Sequence, residues 1–146
     1  MRVTNMIFHI FSAVLLGIDI LIMGFNFLMG LTYMDGTEIL QAGLLVALLF
    51  ISCAASVIGI PVSASKKISP KKYKIVETIL HCIAVLGFGV MILMVIKINI
   101  FHATHKVKEL STGYTNFSPI DLAGFALGII GIVITQSGSR KFKANR

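Results

Sequence analysis

The stretch ILQAGLLVALLFISCAASVIGIPV, residues 39–62, decides the fold. It holds no charged side chain, and at about 1.5 Å of rise per residue it is long enough for a hydrocarbon core of roughly 30 Å. Three more apolar runs, 6–30, 75–96 and 117–136, fill most of the remaining chain. The reading is an all-α membrane protein with one domain over 1–146, an antiparallel bundle of four transmembrane helices. Of its 146 residues 56% are hydrophobic and 13% charged. A soluble domain carries roughly 25% charge, so the ordinary soluble classes are excluded.

The net charge of +7 does not point to nucleic acid, because the basic residues flank the spans. Arg2, the connector residues Lys66, Lys67, Lys71, Lys72 and Lys74, and the tail residues Arg140, Lys141, Lys143 and Arg146 fall on one side. Lys97, Lys106 and Lys108 fall on the other. The positive-inside rule then places both termini and the connector in the cytoplasm. The basic segments are expected to meet anionic lipid, at about 1 kcal/mol per side chain near the surface. The first run is longer than the roughly 7–15 residues of a signal-peptide core and is interrupted by Asp19, so it reads as a span. The expected location is a multi-pass position in the plasma membrane. The two cysteines, Cys53 and Cys82, lie inside spans at similar depths, which leaves the outer loops without a disulfide.

The connections are short. Asp35-Gly36 signals a turn in the first, Pro61 and Pro70 suit helix ends around the second, and Ser118-Pro119 caps the entry to the last helix. Between helices in lipid, close packing through small residues replaces the hydrophobic effect. Gly124, Gly128, Gly131 and Thr135 make one such stripe, Ser52, Ser56, Gly59 and Ser63 another, and Ala13, Gly17 and Gly24 a third. These are read first as packing faces within the bundle and second as a homodimer seam.

Asp19 stands near the middle of its span, and Ser12, Asp19 and Asn26, seven apart, predict a polar stripe turned inward. One reading is a proton or ion relay; the other is a neutral carboxyl bonded to a neighbouring helix. The second is favoured because no second charge is evident at matching depth. Glu77 and His81, at i and i+4, lie shallower, with Glu77 expected to pair with Lys72 and Lys74 at the interface. Lys97 is expected to snorkel outward. His102, His105 and Glu109 lack a fixed third metal ligand and read as solvated loop. The sequon at Asn116 abuts the membrane and is expected to stay bare. No pattern requires a metal or cofactor, and none suggests an enzyme.

Four spans, cytoplasmic termini, a short first outer loop, the basic connector at 66–74 and loops without cysteines resemble the MARVEL-type tetraspans. Over 43–98, with Ser65-Lys66-Lys67 before Glu77-Thr78-Ile79-Leu80, the chain is similar in outline to the snakeskin proteins of insect septate junctions. The resemblance implies a non-enzymatic scaffold, junction or accessory subunit that packs laterally with itself or with a larger membrane protein. The alternative is a small oligomeric ion or proton pathway through Asp19.

Overall fold

The computed structural model describes residues 1–105 and 119–137. They form four α-helices: α1, Arg2–Gly30; α2, Gly36–Ala64; α3, Pro70–His105; and α4, Pro119–Ser137. Three of these are long and apolar enough to cross a membrane, as in a multi-pass membrane protein, while α4 contributes a shorter apolar helix, Asp121–Ser137.

Local chemistry sets the helix ends. Asp35 is the N-cap of α2: its side chain accepts from the Glu38 amide at 2.9 Å, and the Glu38 side chain accepts from the Asp35 amide, a complete capping box. The Asp35-Gly36 pair is therefore a helix start, one step beyond the turn its sequence suggests. Pro61 does not end α2, which continues to Ala64; a proline in the final turn forfeits one hydrogen bond, and the Ser65 amide closes the end on the Pro61 and Val62 carbonyls. Pro70 and Pro119 open α3 and α4, where a missing N–H is harmless. α3 outruns the expected 75–96 at both ends. His102 and His105 thus lie on helical backbone, with their side chains outside the described residues, as is the whole of Glu109.

The Glu38 amide and the Thr37 hydroxyl hold the Asp35 carboxyl below its ordinary value of 3.8. A depressed carboxyl contributes its cap fully above the ordinary value and loses it as pH falls through the lower one. Backbone amide shifts in the first turn of α2 should accordingly titrate with a midpoint below 3.8. A midpoint at or above that value would remove the cap from the account.

Side chains are arranged outside-in. The buried positions of α1 are Asn5, His9, Ser12, Leu16, Asp19 and Met23, alternating four and three apart. α2 buries Leu49, Ser52, Ala55, Ser56, Gly59 and Ser63. α3 turns Tyr73, Glu77, His81, Ala84 and Phe88 inward, and α4 turns Asp121, Gly124, Gly128, Gly131 and Thr135 inward. This is the heptad seam of a helical bundle, filled largely with polar and small residues. The outer surface carries Leu21, Phe25, Leu86 and Leu93, each at least 64% exposed. Water would reject that distribution and lipid favours it.

The register is up-down-up-down. Asn5 meets Tyr73 and His9 meets Glu77, both pairs 68 residues apart, so α1 and α3 run parallel across the diagonal. Asn5 meets Thr135 at one end of the α1–α4 pair and Asp19 meets Asp121 at the other, so these two are antiparallel. α1 packs chiefly on α2, and α3 on α4.

Glycines allow the close approach of α4. A Cβ on Gly124 would enter the Phe88 ring, and one on Gly128 would meet the Val85 side chain. Gly128→Leu is expected to cost about 1–3 kcal/mol by overpacking. Thermal unfolding in mild detergent reads this, and an unchanged midpoint would mean that α4 can move away at no cost.

Candidate functional site

Two buried polar layers cross the bundle. The first lies near the end that holds Arg2 and the α2–α3 connector. Arg2 donates from Nη2 to the Ile68 carbonyl at 3.0 Å and covers the Tyr73 ring at 4.5 Å, tying the start of α1 to the connector. Below it, Asn5 Nδ2 donates to the Tyr73 hydroxyl at 3.2 Å and to Thr135 Oγ1 at 2.8 Å.

One turn deeper, Glu77 is fully buried and central. His9 Nε2 lies 2.7 Å from its Oε2, His81 Nε2 lies 3.8 Å from the same oxygen, and Ser63 Oγ donates to Oε1. The His9 and His81 rings stack at 4.2 Å between centroids with 6° between planes. Glycines wall the stack on both sides. A Cβ on Gly59 would enter the His9 ring, and one on Gly131 would stand 2.6 Å from the His81 ring. The order across the bundle is α2 backbone, His9, His81, α4 backbone. Both ring nitrogens of His81, and Nδ1 of His9, are buried with no hydrogen-bond partner among the described residues.

The second layer is a carboxyl pair. Asp19 of α1 and Asp121 in the first turn of α4 are 6% and 4% exposed and hydrogen-bonded to each other. A carboxyl–carboxyl hydrogen bond needs a proton on one partner. One oxygen of each, Asp19 Oδ2 and Asp121 Oδ1, has no partner among the described residues. Between the layers, fully buried Leu16, Leu49 and Phe88 fill the axis, and Met23 and Met91 complete that apolar cluster.

Several expectations change here. Glu77, expected at the interface beside Lys72 and Lys74, is in the bundle core, where α1 brings a histidine and α2 a serine to it. Asn26 is exposed and donates to the Ile22 carbonyl of its own helix at 2.7 Å. Described α4 begins at Pro119, close to the Asp19 level, and Asn26 lies beyond it. Ser12 is buried as expected, and Asp121 gives Asp19 a second acidic group at its depth. Cys53 faces the Ala13 carbonyl at 3.7 Å while Cys82 is exposed, and both are free thiols. Lys66, Lys67, Lys71 and Lys72 are exposed and Lys74 is half-buried. Arg140, Lys141, Lys143 and Asn116 lie outside the described residues.

His9, Asn5 and Asp121 escape a reading by runs. Asn5 precedes the first apolar stretch, and Asp121 stands just inside the last one. Their signal is the seam itself: Asn5, His9, Ser12 and Asp19 keep heptad spacing, and Asp121 stands three before Gly124 in the glycine stripe. No family model, curated protein or solved structure matches the chain.

Proposed function

We propose that this is a four-span membrane protein, with both termini and the 66–74 connector in the cytoplasm, that handles protons or small cations at the Asp19–Asp121 pair. The observation that carries the reading is two carboxyls meeting inside a bundle whose outer surface is apolar. Ionisable groups in such a place are costly, and they serve ion and proton pathways by default. With both carboxyls ionised, two negative charges in an apolar surround require a cation. The Leu16, Leu49 and Phe88 layer is the gate, a hydrophobic constriction separating this pair from the Glu77 layer. Arg2 lying against the connector at Ile68 supports a common side for those basic segments. The exposed lysines on that side fit contact with anionic lipid.

A lateral scaffold, as the MARVEL resemblance implies, draws less from the molecule. Gly124, Gly128, Gly131 and Ser52, Ser56, Gly59 face inward, as their first reading as packing faces has it; of the three stripes, Ala13, Gly17 and Gly24 is the half-buried one, with nothing among the described residues beyond its own helix backbone within 4 Å of a Cβ placed on either of its glycines.

Reconstituted vesicles with an imposed pH or cation gradient test the reading. The parent chain is expected to pass a flux that Asp19→Asn and Asp121→Asn each reduce at least tenfold while leaving the protein folded. A parent without flux, or variants that conduct as the parent does, returns the carboxyl pair to a packing role.

A further inference from the structure

We infer that His9, Glu77 and His81 form a binding site for one divalent transition-metal ion of the zinc class. The three residues come from two diagonal helices, are each 0% exposed, and offer one ligand atom apiece within 4.8 Å of one another. Two imidazoles and a carboxylate are a known zinc donor set that leaves a fourth position open, and imidazole nitrogen selects against calcium and magnesium.

The distances bracket those a metal needs. A tetrahedral ion with bonds of about 2.0–2.1 Å sets its ligand atoms about 3.3 Å apart. His9 Nε2 at 2.7 Å from Glu77 Oε2 is slightly inside that edge, and His81 Nε2 at 3.8 Å is slightly outside it. An ion bound by both nitrogens lies in the plane of both rings, which stacked rings do not share, so one imidazole turns out of the stack as the ion enters. Ser63 holds Oε1 of the carboxylate and leaves Oε2 to the metal, the role that outer-shell donors play in metal centres.

The unpartnered nitrogens are the independent observation. Buried polar atoms are almost always bonded, and an imidazole with neither nitrogen satisfied forfeits that stabilisation twice. His81 is held in this condition by stacking on His9 and by the Gly131 backbone, with Nε2 towards the carboxylate. A coordinated ion satisfies that nitrogen. It also joins α1 to α3, a diagonal pair in far less direct contact than neighbouring helices are.

The full chain in mild detergent, stripped with chelator, is titrated with Co2+ and then Zn2+. The expected result is one Co2+ per chain with the visible absorption of a tetrahedral site, displaced by one Zn2+, and a higher thermal midpoint with Zn2+. His81→Phe keeps a flat ring against His9 and is expected to bind none. His102→Ala/His105→Ala and Asp19→Asn are expected to bind as the parent does, the latter separating this site from the carboxyl pair. Absence of binding to the folded parent overturns the site, as does equal binding by His81→Phe or loss confined to the His102→Ala/His105→Ala variant. If His81→Phe does not fold, Glu77→Gln is titrated in its place, and full binding by that variant overturns the site equally.

Discussion

Glu77→Leu is expected to destabilise the bundle by about 3–5 kcal/mol, the range for removing one partner of a buried charged pair. Leucine matches the volume but accepts nothing. It leaves His9 Nε2 and Ser63 Oγ without the acceptor they share, in a place where water cannot replace it. Glu77→Gln keeps an oxygen that can serve one of the two donors, so its cost is expected to be lower, about 1–3 kcal/mol. Unfolding in detergent with chelator present measures both without a metal contribution. Equal losses for Leu and Gln would show that packing at this position, rather than hydrogen bonding to the carboxylate, holds α1, α2 and α3 together.

That the core is polar was only partly readable. Apolar length marks the helices well because lipid demands an apolar exterior over a whole span, and a window of residues averages over that exterior. The same averaging hides the interior. His9 and Glu77 meet across 68 residues of sequence, and nothing local distinguishes a histidine that faces a partner helix from one that does not. Heptad phase carries the missing information. Asn5, His9, Ser12, Leu16, Asp19 and Met23 occupy one seam, and a reading that begins the span at residue 6 loses its first member. Asn26 has the same phase but no described α4 residue at its level, so phase alone overextends the stripe. Glu77 reads as interfacial because lysines stand near it in sequence, whereas helical geometry turns Lys72 outward and Glu77 inward. The glycines of α4 read as a packing stripe. What they pack against, the Phe88, Val85 and His81 side chains, depends on the register of α3 against α4.

The carboxyl pair supports a double-mutant cycle whose sign separates a bonded pair from two independent residues. Asp19→Leu strands Asp121, 4% exposed, with no partner among the described residues, and Asp121→Leu strands Asp19 in the same way. Each single change is expected to cost about 3 kcal/mol, since a buried polar group left alone loses its bond and keeps its desolvation penalty. Changing both removes the penalty together with the bond. Apolar side chains then continue the cluster of Leu16, Met23, Leu49 and Phe88, so the double variant is expected to be more stable than either single one. The coupling should therefore reach at least about 2 kcal/mol, well above the few tenths typical of independent sites. Vesicle flux is expected to be absent from the double variant although it is the best folded of the three. Strictly additive losses would show that the two carboxyls do not act as a pair, and flux that survived in the double variant would place the conducting group elsewhere in the bundle.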